Sequence, residues 1–177
     1  MSVFDNAFRA VVGEEGGFTA NPADPGNWTG GVCGSGRCSG TKYGISAATY
    51  PTLDIAGLTL NDARTIYRRD YWDKVQGDNL PPALALLVFD AAVNSGVGRA
   101  IRWLQAALHV KVDGVLGPVS LTAARNCVGQ GAAVLAEYQA QRTVFLAGLP
   151  TWRTFGLGWA RRLCRMQYEA LRIGEAG

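Results

Sequence analysis

The sequence predicts a mainly α-helical protein with one small, glycine-rich lobe near the N-terminus. Apolar residues recur at helical spacing over most of the 177 residues, whereas residues 18–46 lack this spacing and are dominated by glycine, proline and asparagine. With 48% hydrophobic residues, the chain is long enough for one well-buried core. We therefore expect a helical bundle with an irregular loop or hairpin lobe inserted early.

The first helix is predicted over residues 2–14, before the paired glycines at positions 16 and 17. Its apolar face consists of Phe4, Phe8, Val11 and Val12. The stretch from Phe18 to Ser46 follows as a long loop or small hairpin region. A stretch of that length without regular structure is usually functional in a compact domain.

Further helices are predicted from their start and stop signals. Thr59-Leu60-Asn61-Asp62 resembles a capping box, and Pro81-Pro82 begins a helix that ends at Asn94-Ser95-Gly96. Later helices are predicted over residues 99–108, from Pro118, over 130–147 and over 157–173. We expect a boundary after Ser95, which divides the chain into regions 1–95 and 96–177 within one globule.

Charge is distributed unevenly along the chain. Residues 1–98 contain seven Lys or Arg and ten Asp or Glu, whereas residues 99–177 contain ten and four. This asymmetry predicts that the basic half meets a polyanion, and the alternative is a solvated, arginine-bearing helix face. Nucleic acid is the least favoured polyanion, because the arginines lack an accompanying aromatic platform.

The four cysteines indicate a disulfide rather than a metal site. Cys33 and Cys38 bracket a flexible Gly34-Ser35-Gly36-Arg37 segment, so we expect a disulfide there, with free thiols as the alternative. A zinc site is disfavoured because the chain has a single histidine, His109. Cys127 and Cys164 fall in helical patterns and are predicted to be core.

The membrane signals predict a protein that crosses no bilayer by itself. No run of 18 apolar residues is present, and Met1–Arg9 lacks a basic region followed by an apolar one. We therefore expect synthesis in the cytoplasm without a Sec signal, followed by action in the periplasm or cell wall.

Two carboxylates near the N-terminus suggest glycosidase chemistry. Glu15 follows a predicted helix, where the negative end of the macrodipole and apolar neighbours such as Phe18 favour a neutral carboxyl, as a general acid needs. Asp24, on the Asp24-Pro25-Gly26-Asn27 turn, could stabilise the reacting carbon or orient water. The alternatives are a solvated Glu15 at a helix stop and an Asp24 that only bonds turn amides.

The residues after this turn offer groups that could bind a sugar. Trp28 is placed beside Asp24, and an aromatic ring can stack on a sugar face. Thr29, Thr41 and Tyr43 supply hydroxyl groups that could hold a sugar or position a water molecule.

Three motifs in order resemble glycoside hydrolase family 108, which contains bacterial and phage N-acetylmuramidases of lysozyme-like, α-rich fold. They are Glu15-Gly16-Gly17-Phe18, Asp24–Gly31 and Thr41–Ser46. The resemblance implies that Glu15 is the essential acid. Asp24 and Thr29 would match the aspartate and threonine of phage-type lysozymes. Phe18 stands where the family usually has tyrosine, and we expect it to contact the sugar substrate.

The later half resembles a predicted peptidoglycan-binding segment that often accompanies this family. The matching residues are Val112–Pro118 and Trp159-Ala160-Arg161-Arg162. The alternative is that the first run only makes a tight turn into a helix start.

Together these features predict a monomeric lysozyme that cleaves the β-1,4 bond after N-acetylmuramic acid, as a phage endolysin or a bacterial muramidase. Its partner is peptidoglycan, and no cofactor or metal is expected. The alternatives are a lytic transglycosylase, which also relies on one glutamate, and a non-catalytic wall-binding or phage structural protein.

Overall fold

The computed structural model describes residues 2–13, 17–127 and 131–175, and it confirms the predicted mainly α class. The chain divides into two compact units. Residues 11–67 form the first, which we call the loop-rich unit. Residues 1–10 and 68–177 form the second, the helical unit.

The loop-rich unit confirms the small lobe expected near the N-terminus. Its two short strands, β1 (Thr41–Lys42) and β2 (Ile45–Ser46), pair antiparallel, and Thr41 also forms an isolated bridge with Thr19. Helix α2 (Leu60–Tyr67) closes the unit and buries Ala63, Ile66 and Tyr67.

The predicted capping box is present at the start of α2. The Thr59 N–H donates to Asp62 Oδ2 at 2.9 Å, and the Asp62 N–H donates to Thr59 Oγ1 at 3.2 Å. These bonds satisfy backbone donors that a helix start leaves without partners. The Thr59 hydroxyl and N–H also lower the pKa of the Asp62 carboxyl below its usual value.

The helical unit contains most of the α-helices in the described part of the chain. After a π-helical turn (Arg68–Trp72), the helices are α3 (Pro82–Ser95), α4 (Val97–Ala107), α5 (Pro118–Asn126), α6 (Gly131–Ala147) and α7 (Trp152–Glu175). Helix α1 (Val3–Val11) contributes Phe4, whose ring packs on Trp72 and Phe89. No helix in the described residues is long and apolar enough to span a membrane.

Helix α3 is the centre of this unit. Every residue from Leu84 to Ala92 is buried, because α4, α6 and α7 all pack against the helix. Its polar member, Asp90, is fully buried and binds Arg142 of α6 and Arg162 of α7. The expected boundary between residues 95 and 96 falls between α3 and α4, and its functional meaning stays a prediction.

Two helix boundaries differ by three residues or more from those predicted. Helix α1 ends at Val11 rather than at residue 14, because Gly13 adopts a left-handed conformation with φ of 81° that ends the helix. Helix α7 begins at Trp152 rather than at residue 157. Gly156 lies one turn after Trp152, and its missing side chain leaves room for the Trp152 ring.

The prediction that Cys164 belongs to the core is wrong. Leu163, Met166 and Ala170 form the buried face of α7, and Cys164 points away from them and is exposed. Cys127 is half-buried, and burial raises the pKa of its thiol. His109 is exposed.

Candidate active site

The predicted acid, Glu15, lies outside the described residues, together with Glu14 and Gly16. Phe18, three residues after Glu15, is the first predicted site residue within the described part of the chain and is 47% exposed. Its ring lies over Gly40, which has φ of 86°. A Cβ atom at position 40 would sit 2.5 Å from the Phe18 ring and 2.6 Å from the Thr19 carbonyl oxygen. Only glycine fits at this position.

Asn27 holds the loops of this unit together. It is fully buried, and its Oδ1 accepts a hydrogen bond from the Thr41 hydroxyl at 2.7 Å. Its Nδ2 donates to the Asn21 carbonyl, and its own carbonyl accepts from the N–H groups of Ser39 and Gly40. The bonds of Asn27 thus place the Thr41 hydroxyl next to the turn that carries Asp24.

Asp24 lies at the start of a short 3-10 turn, Pro25–Asn27. Its Oδ1 accepts the Gly26 N–H at 2.9 Å, and the side chain is exposed. The turn-forming bond expected for an aspartate in this sequence is therefore present. It fixes one carboxylate oxygen, and within the described residues the other oxygen has no hydrogen bond.

Thr29 and Trp28 both bond to backbone within the same loop. Thr29 Oγ1 accepts the Arg37 N–H at 2.9 Å, and the Thr29 N–H donates to the Arg37 carbonyl, so these residues close the loop between them. The Trp28 indole N–H donates to the Pro22 carbonyl at 2.9 Å, and Trp28 forms an isolated bridge with Cys38. The hydrogen bond of the indole nitrogen and the backbone bridge fix the orientation of the half-buried Trp28 ring.

Tyr43 occupies the turn between β1 and β2. Its backbone adopts φ of 52°, which is uncommon for a non-glycine residue. The Tyr67 hydroxyl of α2 donates to the Tyr43 carbonyl at 3.0 Å. The turn is therefore tied to the following helix, while the Tyr43 ring lies half-buried beside the Lys42 ammonium, 5.5 Å from the ring centre.

A groove of about 490 Å³ opens within the loop-rich unit. Phe18 is the one predicted sugar-contacting residue that lines it, together with Arg37, Cys38, Ser39 and the segment 52–56. Arg37 and Asp54 bring opposite charges to its wall, and Asp54 Oδ1 also accepts the Gly57 N–H. Asp24, Trp28, Thr29, Thr41 and Tyr43 are not among the described residues that line this groove.

Sequence reasoning missed Asn27, Arg37 and Asp54. The Asp-Pro-Gly-Asn run indicated a turn, but nothing in it showed that Asn27 would be buried. Arg37 and Asp54 lie outside the three family motifs and seventeen residues apart in the chain, and only the folded loops bring them to one groove. All four cysteines lie in the described residues and are free thiols, with Cys38 Sγ bonded to the Ala20 carbonyl. The structure therefore lacks the expected Cys33–Cys38 bond, and its formation in an oxidising compartment stays a prediction.

The Val112–Pro118 run in the helical unit has a clear folding role. The side-chain amide of buried Gln105 donates to Asp113 Oδ1 and to the Val115 carbonyl, and its oxygen accepts the Gly114 N–H. The Val115 N–H and Gln105 lower the pKa of the Asp113 carboxyl. The tight turn, which is the alternative to a wall-binding role for these residues, is therefore present. Wall binding by residues 112–118 stays a prediction.

Comparison with known proteins identifies the family. The sequence profile of the family described as glycosyl hydrolase 108 matches residues 8–96, about half of the chain. This chain belongs to the glycosyl hydrolase 108 family. A solved structure described as Brucella abortus SagA is 34% identical, with a TM-score of 0.79, and the match covers 97% of this chain and 95% of that one. No curated protein matches the sequence. The chain is thus a family 108 glycosidase with a lysozyme-like, mainly α fold.

Proposed function

We propose that this family 108 glycosidase is an N-acetylmuramidase that hydrolyses the β-1,4 bond between N-acetylmuramic acid and N-acetylglucosamine in peptidoglycan. The family match over residues 8–96 carries the proposal, because that stretch contains Glu15, Asp24, Thr29 and Thr41. These residues belong to the three motifs that resemble the family, and they occur in the same order along the chain.

In the proposed reaction, the neutral carboxyl of Glu15 donates its proton to the glycosidic oxygen as the bond from that oxygen to C1 breaks. Positive charge then develops at C1 and the ring oxygen. A water molecule adds to C1 and loses a proton, so the products are a reducing muramic acid end and a free hydroxyl on the leaving sugar. Asp24, together with the hydroxyl group of Thr29 or Thr41, stabilises the charge or orients the water.

The protonation of Glu15 at neutral pH depends on desolvation in this proposal. Helix α1 ends at Val11, four residues before Glu15, and the effect of a helix dipole falls off within the last turn. Apolar surroundings are the other physical cause that keeps a carboxyl neutral, and they raise its pKa when it is buried beside aromatic or aliphatic groups.

The rigid loop supports the assignment of Asp24. The Gly26 N–H and the Asn27 bonds hold the turn, so the carboxylate does not need to be ordered when the substrate binds. A preorganised charge is worth more in a transition state than one that must reorganise.

The test is digestion of purified peptidoglycan, followed by mass spectrometry of the released sugar ends. The wild-type protein should release reducing muramic acid ends, and Glu15→Gln should reduce release by at least about a thousand-fold, because the proton donor is lost. Glu14→Gln is the matched control, and it should keep wild-type activity. Asp24→Asn should reduce release by about ten- to a hundred-fold.

Two results would overturn the proposal. Release of 1,6-anhydro ends would make the protein a lytic transglycosylase. Retention on peptidoglycan without release of any sugar end would make it a wall-binding protein without activity.

We propose that the protein acts as a monomer on the bacterial cell wall, during lysis of the cell by a phage. The excess of positive charge in residues 99–177 supports this setting, because the peptidoglycan of the wall carries carboxylates that a basic surface attracts.

A further inference from the structure

A second cavity, of about 300 Å³, lies within the helical unit where the end of α3 meets α4, α6 and α7. Three arginines line it, Arg99, Arg142 and Arg162, together with apolar side chains that include Phe145 and Trp159. Its volume is at the small end of the range for ligand pockets, so it suits one or two amino-acid residues rather than a glycan chain.

The cavity is electropositive. Asp90 is fully buried and binds Arg142 at 2.6 Å and Arg162 at 2.7 Å, so one carboxylate faces two guanidinium groups. Arg99 adds a third positive charge. Within the described residues, no acidic side chain lines the cavity. A ligand with a single negative charge would therefore reduce the charge imbalance.

Arg142 has an unused hydrogen-bond donor. The residue is 2% exposed, and its two terminal nitrogens donate to Gln139 Oε1 and Asp90 Oδ2. Its Nε has no hydrogen-bond partner in the described part of the chain. Because Nε has almost no accessible surface, a ligand in the cavity would meet the positive charge of Arg142 rather than bond to this nitrogen.

An aromatic cluster on α7 adjoins the cavity through Trp159. Trp159 lines the cavity, and its ring lies 6.1 Å from that of Trp152 and 6.0 Å from that of Phe155, which is 53% exposed. The Arg99 guanidinium stacks 4.2 Å from the centre of the Phe145 ring. The site therefore combines a carboxylate-binding group of arginines with apolar walls.

We infer that this cavity binds the terminal carboxylate of a short peptide with small aliphatic side chains, of the kind that ends the peptide stems of peptidoglycan. The arginines bind the carboxylate, and Phe145, Trp159 and the leucines of α6 and α7 contact the aliphatic part. The inference rests on the proposed function for the source of the peptide, but binding itself requires no cleavage.

The direct test is isothermal titration calorimetry with N-acetyl-D-alanyl-D-alanine and with its C-terminal amide. The acid should bind, and the amide should bind at least about ten-fold more weakly, because it lacks the charge that makes hydrogen bonds to guanidinium groups strong. Arg99→Gln should weaken binding of the acid about five- to ten-fold.

Arg102→Gln is the matched control for Arg99→Gln. Both arginines are exposed on α4, and both donate from Nη1 to the carbonyl four residues earlier, Ser95 for Arg99 and Gly98 for Arg102. Arg102 does not line the cavity. Its substitution should change the affinity less than two-fold.

Several outcomes would overturn the inference. Equal binding of the acid and the amide would show that the carboxylate is not recognised, and equal effects of the two substitutions would show that binding is elsewhere. Displacement of the peptide by inorganic phosphate or by anionic lipid vesicles, with the same dependence on Arg99, would assign the cavity to a phosphate group instead.

The outcomes for peptide binding and for catalysis are separable. Glu15→Gln should bind the peptide as the wild type does while losing release of sugar ends. Normal release without peptide binding would contradict only the peptide site, and peptide binding without release would contradict only the muramidase.

Discussion

The helical unit and the loop-rich unit are stabilised by different kinds of interaction. In the helical unit, α3 is buried on all sides by apolar packing, and the three aromatic rings of Phe4, Trp72 and Phe89 contact one another. In the loop-rich unit, residues 17–44 contain few buried side chains, and the hydrogen bonds of Asn27 and Thr29 connect the loops.

This difference shows why the predicted catalytic residues lie in the loop-rich unit. Packed helices bury mostly apolar side chains. Hydrogen-bonded loops, in contrast, can present carboxylates and hydroxyl groups at the surface in fixed positions. Each such bond matters individually, because no large apolar area compensates for its loss. Among the described residues, the interior of the helical unit also contains polar side chains, and Asp90 with Arg142 and Arg162 forms its charged cluster.

The largest effect is expected from this buried cluster. Asp90→Ala would leave two guanidinium groups without their carboxylate, so the free energy of unfolding should fall by about 3–5 kcal/mol, measured by chemical denaturation. Asp73→Ala removes an exposed partner of Arg68 in the same unit and should cost less than about 1 kcal/mol. If both variants lose the same free energy of unfolding, then burial does not make the Asp90 ion pairs more important than the exposed pair.

A smaller effect is expected at the centre of the loop-rich unit. Asn27→Ala removes the acceptor for the Thr41 hydroxyl and the donor to Asn21, and should cost about 1–3 kcal/mol. Hydrogen exchange at the Ser39 and Gly40 amides should accelerate. Asn61→Ala, at an exposed position of α2, is the control and should leave this exchange unchanged. Unchanged protection in Asn27→Ala would contradict the proposed role of Asn27.

The capping box of α2 should have a moderate effect. Thr59→Ala removes the acceptor for the Asp62 N–H and should destabilise the loop-rich unit by about 1 kcal/mol. Thr65→Ala changes the same residue type on the exposed face of the same helix, where its hydroxyl only bonds the Asn61 carbonyl. If the two variants unfold at the same denaturant concentration, the cap does not stabilise the helix.

The smallest effect is a dependence on pH in the helical unit. The pKa of Asp113 is lowered in the folded state, so its ionised form stabilises the fold above the ordinary carboxyl value of 3.8. This stabilisation is lost as the pH falls through the lowered pKa. Asp113→Asn keeps an acceptor for Gln105 and Val115 but does not titrate, so its stability should decline less below about pH 4. An identical acid dependence in both proteins would contradict this account.

Much of the fold can be predicted from local sequence patterns, which involve residues close to one another in the chain. The Thr59–Asp62 capping box and the proline and glycine that bound α3 were predicted, because each depends on residues within one helix. The start of α7 was placed five residues late. The glycines at 156 and 158 weaken the helical signal, and the packing of the Trp152 ring on Gly156 shows why the helix contains the first of them.

The amino-acid sequence by itself determined the mainly α class, the glycine-rich lobe and the family motifs around Glu15, because these follow from local spacing and residue type. Only the tertiary structure decided that Asn27 is buried against Thr41, fourteen residues away, and that Asp90 meets Arg142 and Arg162, which are 52 and 72 residues away. A polar side chain is buried only where its partners are, and those partners come together through folding rather than through neighbouring positions in the chain.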